Sequence, residues 1–339
     1  MRWKSLKTRL SRGYEYLGWS GFLKYMEIKL LGKYASPYCY HPPLNVVIEI
    51  TNRCQLSCKY CYRMNNRMMN PDQGMMSYEN FIRAVDQIKG ARRLNINGGG
   101  EPLLHRDLVK MLTYVNDNSI ARSVRIFTNG MLLTPEMADN ILAAGVDFIG
   151  ISLDGSDAES QESLRLGSDF QKIINNAGYV AQKADKKTRI EIISVITSHN
   201  IKSIETMPEL LNELGIRYFR TYQMMIKTEE GRKISVPRHD MVVESLIDKC
   251  AKLDIDYMYY PMPAKTICTD PFQYLFITWD GKITPCFFIE TKGLNREPFN
   301  FPGFWNGPEM LAWRKDMLTR NYPELCTSIC EIIPKNSSR

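Results

Sequence analysis

Between residues 45 and 223, short apolar runs alternate with longer stretches whose apolar positions recur every three or four residues. The short runs predict strands at Val46–Ile50, Leu94–Asn97, Val124–Phe127, Phe148–Leu153, Ile190–Ile196 and Tyr218–Tyr222. The longer stretches predict helices over Tyr78–Lys89, Asp107–Asn118, Pro135–Ala144, Phe170–Lys183 and Ser203–Leu214. Some ends are marked: Thr134 and Pro135 open one helix, and Gly145 and Gly215 close two. Strands alternating with helices imply right-handed crossovers and a parallel sheet. Six strands with five intervening helices give an α/β chain of the partial (β/α)6 barrel type. Its active site is expected on the loops that follow the strand C-termini.

The rhythm breaks over 226–265, which holds the charged stretch Lys227–Lys233, a helix around Asp240–Leu253, and Tyr257–Pro263. From 268 onward the chain is short-stepped and turn-rich, and Asp280-Gly281 predicts a hairpin between two β-like runs. The expected divisions are a basic amphipathic helical extension (1–40), the barrel (41–225), a helical linker (226–265), a small cysteine-rich domain (266–332) and a disordered tail (333–339). In the extension, Trp3, Leu6, Leu10, Tyr14 and Leu17 recur at helical spacing with basic residues between them.

Composition excludes several classes. With 339 residues, 44 % of them apolar and 24 % charged, the chain reads as soluble and globular. It holds no run long enough to span a membrane and no secretory signal, so a cytoplasmic address is expected. The net charge of +7 is concentrated: residues 1–34 hold eight Lys/Arg against Glu15 and Glu27. The main body is near neutral and shows no basic motif, which argues against a nucleic-acid partner. The basic helix either caps one face of the main domain, or makes peripheral contact with an anionic membrane or meets a charged partner.

Nine cysteines, an odd number in a chain without an export signal, argue against a disulfide framework. Cys54, Cys58 and Cys61 form one knot; Cys268, Cys286, Cys326 and Cys330 form a second set; Cys39 and Cys250 stand alone. A structural zinc site wants four ligands, and so does an electron-transfer cluster. A [4Fe–4S] cluster on three thiolates leaves one iron open to bind and activate a ligand.

The knot Cys54-Gln-Leu-Ser-Cys58-Lys-Tyr-Cys61, on the loop after the first strand, resembles that of the radical S-adenosylmethionine (SAM) enzymes. Gly99-Gly-Glu-Pro102, Thr128-Asn-Gly130 and Ser152-Leu-Asp-Gly155 match that family in order and position after the next three strands. The resemblance implies SAM on the open iron of a [4Fe–4S] cluster held by Cys54, Cys58 and Cys61. One-electron cleavage would yield methionine and a 5′-deoxyadenosyl radical, and an external flavodoxin- or ferredoxin-type donor would supply the electron. It further implies that Gly99, Gly100 and Glu101 meet the methionine amino group. Thr128, Asn129 and Ser152 would contact ribose or carboxylate, Tyr60 would lie by the adenine, and Arg165 would reach the carboxylate.

Gly281-x4-Cys286 resembles the family's C-terminal SPASM extension in its shortened twitch form. That implies one auxiliary [4Fe–4S] cluster on Cys268, Cys286, Cys326 and Cys330, although the last pair is CxxxC where the family has CxxC. A four-cysteine zinc site is the other reading.

Passing an electron to the auxiliary cluster would make the reaction a dehydrogenation; a thiol hydrogen donor would make it an epimerisation. Sulfatase-maturing relatives place Asp after the Gly-x4-Cys cysteine, and Phe287 stands here. Candidate donors are Cys250, whose helix partners Val242, Val243 and Leu246 also suit core packing, and Cys39. The short auxiliary domain resembles those of enzymes acting on sugars and aminocyclitols, which implies a carbohydrate-like small-molecule substrate. Tyr222, Gln223, Tyr257, Tyr259 and Tyr260 would form a sugar-stacking wall or simply core, and Arg220 would point either into the barrel or to solvent. The alternatives are modification of a ribosomally made peptide and a non-catalytic zinc-binding protein.

Overall fold

The computed structural model describes residues 18–61, 72–224, 229–236, 240–261, 268–286, 297–299, 301, 303–322 and 326. All six expected strands form: β1 (Asn45–Ile48), β2 (Arg93–Ile96), β3 (Val124–Thr128), β4 (Phe148–Ser152), β5 (Arg189–Ile196) and β6 (Tyr218–Gln223). Each pairs in parallel with the next, as crossover connections require.

The helices are α1 (18–31), α2 (Tyr78–Asp86), α3 (Leu108–Asp117), α4 (Pro135–Ala143), α5 (Ala158–Leu164), α6 (Phe170–Lys183), α7 (Ile201–Glu205), α8 (Met207–Glu213), α9 (Glu229–Ile234), α10 (Asp240–Lys252) and α11 (Pro308–Thr319). Ser77, Thr134, Asp157 and Asp169 cap α2, α4, α5 and α6 by accepting a backbone N–H in the first turn. One face of the sheet is aliphatic: Ile48, Leu94, Ile126, Ile149, Ile151 and Ile192 have no solvent exposure and pack under helix residues such as Phe81, Leu112 and Ile173. Burial of this kind contributes about 1.5–3 kcal/mol per side chain.

Three features differ from the sequence reading. The expected helix Ser203–Leu214 is two, α7 and α8, because Pro208 lacks the amide and crowds the preceding turn. Helix α5, too short to show a clear period, lies between β4 and α6. The segment expected to interrupt the barrel extends its sheet instead: β7 (Asp256–Tyr260) pairs in parallel with β6 and ends before Pro261.

The predicted hairpin forms as β8 (Tyr274–Ile277) and β9 (Ile283–Thr284). Gly281 supplies the left-handed turn residue at φ 78°. Strand β8 also pairs in parallel with β1, so the sheet runs β7-β6-β5-β4-β3-β2-β1-β8-β9. A second apolar cluster joins Ile28 of α1 to Cys39, Phe272, Met317, Leu318 and Cys326. Among the described residues no helix is long and apolar enough to cross a membrane. The N-terminal repeat Trp3–Leu17 and the tail 333–339 lie outside the described residues.

Candidate active site

The chemistry-bearing motifs converge at the C-terminal ends of β1 to β4. After β1 the chain enters the Cys54–Cys61 loop, which α5 and its exit segment back: Ser57 and Lys59 donate backbone N–H to the carbonyls of Leu166 and Leu164, both at 3.0 Å. After β2, Gly98 and Gly100 leave no room for a side chain. A Cβ on Gly100 would sit 2.4 Å from the Thr51 carbonyl oxygen, and one on Gly98 would sit 2.5 Å from Glu49. Glu49 in turn accepts the Gly99 amide at 2.5 Å. Glu101 is buried and ties β2 to β3, accepting from the Thr128 hydroxyl and the Asn129 amide, both at 2.7 Å. Burial pushes its carboxyl above the usual range against those hydrogen bonds. Asn129 reaches the cluster loop, its amide nitrogen 3.9 Å from Cys54 Sγ and its oxygen accepting from Gln55 at 3.2 Å.

Asp154, two residues beyond Ser152, was not singled out from the sequence, yet it is the hub of this end. Its carboxylate has no solvent exposure. It accepts from Tyr60 O–H, from Arg165 Nε at 2.7 Å and from the Val195 amide at 2.8 Å. The Arg165 guanidinium lies 5.8 Å from the Tyr60 ring centre. Burial works against the Arg165 charge, and Asp154 more than restores it. The Asp in Ser152-Leu-Asp-Gly155 carries the strand's period of two one step past its end, and that was the available signal.

Burial raises the Cys58 thiol to about 12, with Arg165 pulling the other way and Cys61 and Cys54 close enough to add to the rise. Among the described residues no three His, Cys, Asp or Glu side chains converge as a single-ion site requires. Three thiols on one eight-residue loop that do not close as a single-ion site fit a polynuclear cluster on three ligands.

The inner face, opposite the helices, is polar and aromatic. Glu191 of β5, with no exposure, pairs with Arg220 of β6 and with Arg189 Nη2 at 2.5 Å. These contacts are ionic rather than well-aligned hydrogen bonds. Arg220 also donates to the Tyr222 hydroxyl at 3.1 Å, and its guanidinium lies 5.1 Å from the Tyr260 ring. Burial opposes the Arg220 charge, but Tyr222, Glu191 and Tyr260 hold it ionised. Tyr222 and Tyr260 stack at 5.0 Å with planes 19° apart. Arg125 lies 3.8 Å from the Phe148 ring on the same face, and Phe127 and Phe148 crowd Gly150 so closely that a Cβ there would meet both rings at 2.9 Å. Arg220 thus points inward. Glu191 and Arg125 were missed, although a lone charge inside an apolar run marks each.

Two expectations need correction. Tyr257 and Tyr259 alternate away from Tyr260 and pack in the helix-side core, and Gln223, half-buried at the strand end, shares the face of Phe219 rather than that of Tyr222, so the wall reduces to Tyr222 and Tyr260. Cys250 is buried in that same core with Val242 and Leu246, and burial lifts its thiol to about 12. It lies on the wrong side of the sheet for a hydrogen donor. Cys39 is also remote from the inner face, packing beside Phe272 in the second cluster. Cys268 and Cys286 pack against that same cluster, which includes Cys326; Cys330 lies outside the described residues.

Comparison with known families decides what this arrangement is. The sequence model of the radical SAM superfamily matches residues 48–214, and that of the SPASM iron–sulfur cluster-binding domain matches 268–331. A probable GTP 3′,8-cyclase of Methanopyrus kandleri is 31 % identical over 282 residues, covering 75 % of this chain and 85 % of that protein. The chain belongs to the radical SAM superfamily. A cofactor-modifying protein for tungsten-containing aldehyde ferredoxin oxidoreductase, from Pyrococcus furiosus, is 25 % identical over 72 % of this chain and 71 % of its own length. Streptococcus suis SuiB, solved with SAM, superposes with a TM-score of 0.64 at 19 % identity, covering 83 % of this chain and 67 % of SuiB. Solved with its precursor peptide SuiA, it gives 0.63 at 17 % identity, over 80 % and 67 %. The radical SAM domain binds SAM and a [4Fe–4S] cluster, and the SPASM domain binds auxiliary iron–sulfur. This is a SAM-dependent enzyme with a partial barrel, and the reading as a non-catalytic zinc protein falls.

Proposed function

We propose that this radical SAM enzyme is an oxidoreductase or epimerase acting at a C–H bond of a carbohydrate-like small molecule on the inner sheet face. The observation that carries this reading is the Arg220 assembly. A charged guanidinium held by Glu191 and Tyr222 stands beside two stacked tyrosines, level with Ser152 across the sheet and two strand positions below Asp154. Sugar hydroxyls would bond to Arg220 and Tyr222, and the C–H face of the ring would lie on Tyr260, which is 37 % exposed.

In this reading Cys54, Cys58 and Cys61 hold the SAM-binding cluster, and Arg165 and Ser152 orient the SAM carboxylate. Gly99, Gly100 and Glu101 line its amino end, Thr128 and Asn129 its ribose, and Tyr60 its adenine. When bound, cluster and SAM supply a carbon radical strong enough to take hydrogen from an unactivated C–H bond. The protein's own task is to hold one C–H of the substrate against that position and keep water away. Cys268, Cys286, Cys326 and Cys330 hold the auxiliary cluster, whose full ligation suits electron transfer. The SuiB fold favours a second reading, peptide modification.

The test is deuterium transfer. Anaerobically reduced enzyme with SAM receives carbon-deuterated sugars and aminocyclitols, or carbon-deuterated peptides, and 5′-deoxyadenosine is analysed by mass spectrometry. Deuterium arriving from the sugars is the expected result; deuterium from the peptides only would overturn this reading in favour of the second. Turnover in heavy water then separates dehydrogenation from epimerisation by solvent deuterium in the product.

A further inference from the structure

Helix α1 is amphipathic the wrong way round for a helix that only caps a domain. A helix packed on a globular core turns its apolar stripe inward. In α1 the inward positions are Gly21, Lys24 and Ile28. Lys24 is 4 % exposed, and its ammonium donates to the Ser36 carbonyl at 2.6 Å and pairs with Glu27 at 3.0 Å. The outward positions include Trp19, Leu23 and Leu30, which are 67 %, 62 % and 76 % exposed. At 3.6 residues per turn these three fall within a stripe roughly 40° wide. Leu31 at the end of the helix, and Tyr34 and Tyr40 beyond it, are exposed by 52 %, 79 % and 86 %.

Exposed lysines flank this stripe. Lys29 lies 5.4 Å over the Tyr25 ring and Lys33 lies 5.1 Å over the Tyr34 ring. The residues that precede the helix on the chain add Arg2, Lys4, Lys7, Arg9 and Arg12 against Glu15. A Trp/Leu/Tyr stripe bordered by cations matches one environment, the headgroup layer of an anionic bilayer, where apolar rings enter the acyl boundary and lysines meet lipid phosphates. A second copy of this chain would bring the same cations against each other.

We propose that α1 docks the enzyme on anionic lipid surfaces through Trp19, Leu23 and Leu30, with Lys29 and Lys33 setting the preference for negative charge. The docking is peripheral. The opposite side of α1 packs through Ile28 into the cluster that holds Phe272 and Cys326, so the helix links the auxiliary region to the lipid.

The test uses the full chain with its clusters, sedimented anaerobically with phosphatidylcholine vesicles, alone or with about one-third phosphatidylglycerol. Partitioning is expected to be at least about tenfold stronger on the anionic vesicles and to weaken with salt. The triple variant Trp19→Gln, Leu23→Gln, Leu30→Gln, whose replacements keep helix propensity, is expected to lose at least about tenfold. Lys29→Glu with Lys33→Glu is expected to lose the anionic preference. Unchanged iron content and unchanged SAM cleavage would show that the variants remain folded. Equal or absent binding to both vesicle types would overturn the proposal. So would a lipid-free dimer in sedimentation velocity that the triple variant dissolves.

Discussion

Phe219 and Arg220 are neighbours on β6, yet Phe219 is sealed among the helices while Arg220 joins Glu191, Tyr222 and Tyr260 on the opposite face. The same split runs along the sheet: Ile149 and Ile151 of β4 are core, whereas Phe148, Gly150 and Ser152 alternate with them on the inner side. Strand geometry enforces this, since successive side chains leave opposite faces. One face is aliphatic and supplies burial energy, and the other carries charge and rings that a core would not accept uncompensated. Stability and chemistry are therefore separable by residue parity, and substitutions on the two faces should fail in different assays.

The largest effect is expected where the two roles meet. Asp154→Asn would leave the Arg165 guanidinium without its buried partner, costing about 3–5 kcal/mol in denaturant unfolding. 5′-Deoxyadenosine formation should fall at least about tenfold with it; a variant as stable and active as the parent would break the claim that Asp154 organises this end. On the helix side, Ile149→Ala should cost about 3 kcal/mol through the cavity it leaves. Activity per folded molecule should hardly change. Tyr260→Ala should do the reverse, shifting stability by about 1 kcal/mol or less while cutting substrate-dependent deuterium transfer about tenfold. Equal losses of stability in these two variants would erase the contrast between the faces.

The smallest expected effect is in pH dependence. Burial raises the Glu101 carboxyl in the folded state, so the native protein binds a proton more readily than the unfolded chain. Its contribution is fully present below the ordinary glutamate range and is lost as pH rises through the higher folded value. The unfolding free energy should therefore slope downward over that window. Glu101→Gln should flatten the slope; a slope of opposite sign would contradict the burial argument.

Much of this was legible in the sequence because it rests on local rules. Val46, Ile48, Leu94 and Ile96 announce helix-covered strands, and the glycines at 98–100 announce a backbone that must come close to β1. The first cysteine knot is written within eight residues. Less legible was anything that depended on which way a strand faces. Arg220 could be assigned to a face only once β5 and Glu191 stood beside it, and Tyr257 and Tyr260 share a composition while lying on opposite sides. Strand β7 was hidden because aromatic residues occupy both of its faces and prolines follow immediately, which imitates a turn. Asp154 was overlooked for a different reason. Its importance comes from partners nearly a hundred residues upstream and some forty downstream, Tyr60 and Val195.

The most direct test of the account pairs neighbouring residues of β6. Phe219→Leu and Arg220→Met would each be supplied with SAM, reductant and the carbon-deuterated sugar set, and deuterium in 5′-deoxyadenosine would be compared with that of the parent. The account predicts that transfer survives in Phe219→Leu, at some cost in stability, and is lost in Arg220→Met while substrate-independent SAM cleavage continues. Deuterium transfer undiminished in Arg220→Met, or deuterium drawn from peptides and never from sugars, would contradict it.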